Sequence, residues 1–466
     1  ITMVFSSLQF IFIFIPIFFI CYYSAPRTFR NAVLLLGSLC FYFIGTINNP
    51  EHFIIFIISM LVDFAAALCI EKYPKFKRMF LLIGIIFHLI SLFTFKYMGF
   101  VLGEIEKYNA AFTFTKDIVL PIGISFYTFQ GISYITDVYR GKVTAEKSLL
   151  RYTVYISMFE QLIAGPIVTY DRVKDKLYRR RITKSMIIDG ICTFIFGLGL
   201  KVLLANPIGK LWSQTCAIGF ESISTPLAWM AVFAFSFQIY FDFWGYSLMA
   251  IGLGKMLGFK LPQNFKHPYL SLTMTEFWQR WHITLGSWFR EYVYIPLGGN
   301  RKGTLCTIRN LFIVWLLTGI WHGAGYNFLL WGLVLFIIIL TEKLFIGKFL
   351  RERPIIGHLY MLLLIPLTWA IFAIDDIGQL GIFFTRLFPF FGQGVWSVFK
   401  HDYLKYLGMY YPFFIAGFLL STKLPYNLLR KIKQRKVIYI LIVIIFIASV
   451  YCMYRGFDDP FLYFRF

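Results

Sequence analysis

Glu276-Phe277-Trp278-Gln279-Arg280-Trp281-His282 opens a stretch that closes at Gly319-Ile320-Trp321-His322-Gly323-Ala324-Gly325, and the reading of this stretch decides the fold. Between the two motifs lie a glycine loop, Pro296-Leu297-Gly298-Gly299-Asn300-Arg301-Lys302-Gly303, and an apolar segment from Leu311 to Leu340. In that segment His322 is the only side chain that titrates near neutral pH. An apolar run of such length belongs in a bilayer. A histidine inside it is costly to bury without a partner or a role, and it can both take and give a proton. Residues 309–345 are too long for one span and too short for two comfortable ones. A hairpin or broken helix is therefore expected, with the break at 321–325 and His322 at a bend inside the protein.

The upstream motif reads as helix. Trp278, His282, Leu285 and Phe289 recur at i, i+4, i+7 and i+11, one face of a single helix over 276–292. Aromatics mixed with Arg280 and Arg290 suit a helix at the membrane interface. On pattern alone His282 reads more readily as an interfacial packing residue than as a catalyst. The loop 296–303 reads two ways. It can present backbone N–H groups and the Arg301–Lys302 pair to an anion, or it is a tight turn before a cytoplasmic basic patch.

The rest of the chain supports a membrane setting. Its 466 residues are 59% hydrophobic, with a mean hydropathy of +0.69, well above a soluble globular protein. The fold class expected is an all-α polytopic membrane protein. Apolar segments at 4–23, 31–47, 52–70 and 79–100 are four candidate spans. The first is too long for the core of a cleaved signal and lacks its flanks, so it is taken as a span, with Met3 as the natural start. A fifth segment, 118–138, is interrupted by Pro121 and Gly123. Segment 152–168 is basic at both ends and is expected to be re-entrant, backbone tolerated at membrane depth only where protein or a wet cavity covers it. Further spans are expected at 187–205, 226–253, 356–374, 407–421 and 437–454. About 10 to 12 spans follow, forming one domain over 1–454 with a tail at 455–466.

The net charge of +22 excludes little by itself. The cations cluster in short loops such as 72–78 and 423–436, as the positive-inside bias requires of cytoplasmic loops, so no nucleic-acid partner is expected. This bias places both termini outside. Anionic lipid or a phosphorylated cosubstrate remains an open tenant for the surplus charge. Seven scattered cysteines show no metal-type spacing, so no metal site is expected. Asp242 sits in Tyr240-Phe241-Asp242-Phe243-Trp244, where a carboxylate costs about 2.5–3.5 kcal/mol at a helix centre. It must serve function or be paired.

At these motifs the chain resembles the membrane-bound O-acyltransferase family, in particular the bacterial branch that holds the alginate and peptidoglycan O-acetyltransferase membrane subunits. The most specific matches are 276–282, Tyr294-Ile295-Pro296-Leu297-Gly298-Gly299-Asn300-Arg301 and Trp321-His322-Gly323-Ala324. Phe5-Ser6-Ser7, Ser125-Phe126-Tyr127-Thr128-Phe129-Gln130, Asp137-Val138-Tyr139-Arg140-Gly141 and Gln161-Leu162-Ile163-Ala164-Gly165-Pro166 extend the resemblance over nearly the whole chain. It implies a ring of helices around a central tunnel in the bacterial inner membrane, with His322 catalytic and His282 its second polar residue. Asp242, Trp321, Gln161 and Trp278 are the supporting tunnel residues expected with them. The tail Phe461-Leu462-Tyr463-Phe464-Arg465-Phe466 looks like the FxYFxF tail of these systems. Its tyrosine, here Tyr463, would carry the acyl group to an extracytoplasmic SGNH-type O-acetyltransferase partner. Two positions depart from the branch: Leu248 stands where it usually has an aspartate, and Thr169 where an arginine is common. They bear on which polymer is modified more than on the reaction.

The chemistry needs a nucleophile, a base and support for a developing oxyanion. A phenol is mostly protonated at pH 7, so a neutral histidine within reach would assist its attack on a thioester. His322 is the expected base and His282 the positioning or oxyanion residue. The donor expected is acetyl-CoA or another acyl thioester, a substrate and not a bound cofactor, with its phosphates near Asn300, Arg301 and Lys302. Two rivals stand beside this. D-alanyl transfer to teichoic acid uses the same reaction with other cargo, but those systems typically carry the tail on a separate protein. A proton-coupled transporter or flippase would be expected to show an internal repeat, and none is found.

Overall fold

The protein is described by a computed structural model that covers residues 3–109, 118–162, 165–391, 400–431, 434–456 and 462. Among them every regular element is a helix. Among the described residues eight helices are long and apolar enough to cross a membrane. They are Pro50–Lys72, Pro74–Tyr108, Lys184–Ile218, Thr225–Leu257, Thr304–His322, Tyr326–Glu352, Pro354–Ala373 and Arg435–Tyr454. Two shorter apolar helices are Phe10–Ser24 and Arg30–Gly45. With no water at membrane depth, a helix is the one open-ended element that satisfies its own backbone, which is why apolar runs of this length all become helices. The chain is a multi-pass membrane protein. The helix Leu149–Ser157 has nine residues, roughly 14 Å at 1.5 Å each, and cannot cross; the short helix Phe159–Leu162 follows it after Met158.

The chain folds into two compact units. The first comprises Ile1–Phe194 with Tyr246–Gln263, and the second Ile195–Gly245 with Asn264–Phe466. In the first, His88 Nε2 lies 2.7 Å from Asp63 Oδ1, both fully buried between membrane helices. Gly131 is what lets a third helix approach them, because a Cβ there would fall 2.3 Å from Asp63 Oδ2.

The second unit carries most of the residues singled out from the sequence. The helices Thr304–His322 and Tyr326–Thr341 pack as a hairpin whose turn is Gly323–Gly325, the break expected there. Both arms reach further than the apolar pattern suggests, the first beginning at Thr304 and the second running on to Glu352 through a wide turn at Glu342–Ile346. Each arm is thereby long enough to span, and the apparent shortage of residues disappears.

The expected single helix over 276–292 does not form. The chain makes Met274–Arg280, breaks at Trp281-His282, and resumes as Ile283–Phe289. His282 takes φ 43° and ψ 52°, the left-handed region. Histidine is enriched among the non-glycine residues that tolerate it, though only where surrounding structure imposes it. Asn264 imposes it here. Its carbonyl accepts from Ile283 N at 3.0 Å, and its Oδ1 accepts from the Thr284 hydroxyl at 2.6 Å. Lys266 N donates to Arg280 O at 2.9 Å on the other side of the break.

Candidate active site

The broken helix and the hairpin present their histidines along one aromatic wall. His282 is 2% exposed, and its ring meets Phe243 edge-to-face at 4.7 Å and Trp321 at 6.2 Å. His322, the last residue of its helix, is also buried, and its ring packs edge-on against Trp331 at 5.0 Å and Phe372 at 5.3 Å. Trp321 thus neighbours both histidines. Two perpendicular ring contacts hold the His322 imidazole in a slot, and Asn327 braces the slot by donating to Phe372 O at 3.0 Å. Trp278 stacks edge-on against Trp315 and Trp331 in the same wall.

The electrostatics of the wall are those of a dry site. Burial pushes the His282 ring down to about 3, so it is neutral at any physiological pH. Neither of its ring nitrogens has a hydrogen-bond partner among the described residues, and the same holds for the indole N–H groups of Trp278 and Trp331. Buried donors and acceptors left open are rare in native structures and call for an explanation. A substrate that supplies a carbonyl or hydroxyl would be one. A cavity of about 350 Å³ is lined by Trp278, Trp281, His282, Arg290, Trp315 and other side chains of the broken helix and hairpin; Trp331 and His322 are not among the described residues that line it. That volume lies in the range of small-ligand sites, which are mostly apolar with a few converging polar groups.

Two residues that went unnoticed in the sequence set this geometry. Glu342, at the start of the wide turn closing the second hairpin arm, is buried and accepts from Met274 N, from Thr275 N at 2.8 Å and from the Thr275 hydroxyl at 2.7 Å. It caps the first turn of Met274–Arg280, where a carboxylate meets open N–H groups and the positive end of the helix dipole. The signal available was a lone carboxylate at the end of a long apolar segment. Lys201 is the other. It is 1% exposed, and its Nζ donates to Asp242 Oδ1 at 2.5 Å, so Asp242 is ion-paired. The pairing needs Gly245, because a Cβ there would come within 2.6 Å of Gly197 O and keep the Lys201 helix away.

Asp242 has a second partner. Its Oδ2 accepts from the backbone N–H of Leu462 at 2.8 Å, in a buried contact, and Leu462 itself is buried. Tyr463, the next residue in sequence, lies outside the described residues, as do Phe461, Phe464 and Phe466. Gln161 belongs to the first unit, where its Nε2 donates to Tyr155 O. Asn300, Arg301 and Lys302 are exposed. The N–H groups of Gly298, Gly299 and Arg301 donate to carbonyls of their own turn, so any anion held by this loop would rest largely on the Arg301 and Lys302 side chains.

A helical multi-pass protein with two buried histidines in one aromatic wall, one of them, His282, lining a cavity, has the frame of an intramembrane enzyme. The chain belongs to the membrane-bound O-acyltransferase family, whose family model matches residues 143–352. It is 33% identical to a probable alginate O-acetylase AlgI of Pseudomonas putida over 493 residues, covering 100% of both chains. It is 34% identical to a peptidoglycan O-acetyltransferase of Helicobacter pylori over 418 residues, 81% of this chain and 78% of the other. A teichoic acid D-alanyltransferase of Bacillus subtilis is 29% identical over 228 residues, 47% of this chain and 57% of the other. The protein is a membrane O-acyltransferase.

Proposed function

We propose that this chain takes an acetyl group from a cytoplasmic thioester, passes it to Tyr463, and so supplies it across the bacterial inner membrane for O-acetylation of a cell-surface polysaccharide. The observation that carries this reading is the buried hydrogen bond from Leu462 N–H to Asp242, which anchors the residue before Tyr463 inside the unit that holds both histidines. A tail that only decorated the surface would have no reason to bury a backbone donor on a charged carboxylate. In the reaction the phenol oxygen attacks the thioester carbonyl while His322 takes the phenol proton. The C–O bond forms, the C–S bond breaks, and the thiolate leaves and is reprotonated. His282 and the open indole N–H groups support the oxyanion. The acyl-tyrosine ester then passes its acetyl group to an extracytoplasmic O-acetyltransferase partner. Acetyl is favoured over D-alanyl because the relatives named as O-acetylases cover most of this chain and the D-alanyltransferase less than half.

The anchor makes a direct prediction. Removing one member of a buried ion pair leaves the other uncompensated, at roughly 3–5 kcal/mol, whereas removing both together is close to neutral. The double variant Lys201→Met, Asp242→Leu should therefore fold, with a melting temperature near the parent's. A hydrogen bond to a charged group contributes about 1.5–3 kcal/mol, so its loss should cut the docked tail, and acyl transfer with it, by roughly 10–100-fold. Full activity in the folded double variant would show that the tail does not depend on Asp242.

The route also fixes a topology. Loops 72–78 and 423–436 should face the cytoplasm and Tyr463 the other side. Single cysteines placed at Lys75, Lys431 and Tyr463 and labelled from each side of the membrane check this. Reaction of Tyr463→Cys from the cytoplasmic side alone overturns the transmembrane route.

A further inference from the structure

The first unit contains a second, chemically different cavity, of about 810 Å³. It lies where the loop after Ile15–Ser24, the start of Leu149–Ser157 and the end of Tyr170–Tyr178 come together. Arg27, Arg30, Arg151, Lys176 and the run Arg179-Arg180-Arg181 line it, and no carboxylate among the described residues does. Of these seven cations one, Arg151, is ion-paired, through Nη2 to Glu146 Oε1 at 2.8 Å, and the other six have no ion pair among the described residues. Behind Arg180 the buried Glu160 carboxyl is pushed up to about 7 by burial, so it adds at most a partial countercharge.

Positive-inside bias explains cations on a cytoplasmic loop, but it does not explain how these are held. Arg180 is fixed by neutral groups: its Nε donates to Tyr22 OH at 2.8 Å and its Nη1 to Asn31 Oδ1 at 2.6 Å, while its guanidinium lies 4.8 Å over Phe259. Asn31 in turn donates to Leu177 O at 2.8 Å, tying two of the three segments together. Arg151 stacks 4.0 Å over Tyr178. Three buried guanidinium N–H donors, Arg180 Nη2, Arg30 Nε and Arg151 Nε, have no acceptor among the described residues. Arginines that were only avoiding the membrane would turn these donors to water. Pre-set forks around a concave space, with no carboxylate among its described lining residues, match the geometry of phosphate recognition.

We propose that this cavity binds a phosphate-bearing anion at the cytoplasmic face. Two sources share that chemistry: the nucleotide phosphates of a CoA-type thioester donor, and the headgroup of an anionic phospholipid. The site does not depend on the tyrosine route. It relocates donor phosphate binding, if the nucleotide is the source, away from Arg301 and Lys302.

The test uses the full chain in nanodiscs. The triple variant Lys176→Gln, Arg179→Gln, Arg181→Gln removes three exposed cations whose side chains make no hydrogen bond among the described residues, so folding should be unaffected. Arg180→Lys keeps the charge and removes the fork. CoA binding is measured by calorimetry in phosphatidylcholine nanodiscs, and retention of phosphatidylglycerol by native mass spectrometry. If the nucleotide is the source, the CoA dissociation constant rises at least tenfold or so in the triple variant, from about one tenfold step or somewhat less per cation, and rises also in Arg180→Lys. Arg301→Gln, Lys302→Gln should then leave it nearly unchanged. If the lipid is the source, CoA binding holds and phosphatidylglycerol retention falls instead. Folded variants that alter neither CoA affinity nor lipid retention overturn the proposal.

Discussion

Tyr463→Phe is expected to abolish acetylation of the polymer, by at least roughly 10³-fold, while CoA thioester binding stays intact. The substitution keeps the ring and removes only the hydroxyl, the atom that would form the ester, and a covalent route has no substitute for its nucleophile. The competing reading is that Phe461, Tyr463, Phe464 and Phe466 merely anchor the tail in the aromatic belt at the membrane interface. Anchoring needs rings, and phenylalanine supplies one as well as tyrosine does. The two readings therefore separate on one substitution: loss of transfer supports the covalent route, and full polymer acetylation in Tyr463→Phe removes it. The contact of Leu462 with Asp242 makes the experiment sharper, because backbone docking through residue 462 is unaffected by the change at 463.

His322→Ala should leave the protein inserted and folded and lower acyl transfer by roughly 10²–10⁴-fold, the usual contribution of a positioned general base. The slot formed by Trp331 and Phe372 is what justifies this range. It fixes the plane of the imidazole before substrate arrives, so loss of the ring would remove the proposed base in its oriented state. Alanine also leaves a void in a well-packed wall, so His322→Gln, which fills the slot without a base, is the companion measurement. Both variants should lose transfer, with donor binding within a few-fold of the parent. Near-normal turnover in either would take His322 out of the chemistry.

Much of this arrangement is legible in the residues alone, and the exceptions have physical reasons. The hairpin at 321–325 can be read because Gly323-Ala324-Gly325 interrupts an otherwise continuous apolar run, and such an interruption survives any tertiary context. The break at Trp281-His282 cannot. Neither residue is a helix breaker, and the left-handed turn is imposed by Asn264, which lies 18 positions away from His282 in sequence. Periodicity sees the aromatic face of 278–289 and misses the clamp that cuts it. Asp242 is conspicuous in its apolar setting, but its partner is one lysine in Leu200-Lys201-Val202, 41 residues earlier, and only the close approach at Gly245 selects it. Clustered loop cations likewise read as topology signals. That seven of them share one cavity, with no carboxylate among its described lining residues, follows from three distant segments meeting, which spacing does not encode.

The claim at the centre is that the acyl group travels through Tyr463. Intact-mass spectrometry of the C-terminal peptide, after the purified protein is incubated with acetyl-CoA, tests it most directly. The expected result is one acetyl ester on Tyr463, absent in His322→Ala and in Tyr463→Phe. A tail that stays unmodified in a preparation that still transfers acetyl groups, or an acetyl group on any other residue, would contradict it.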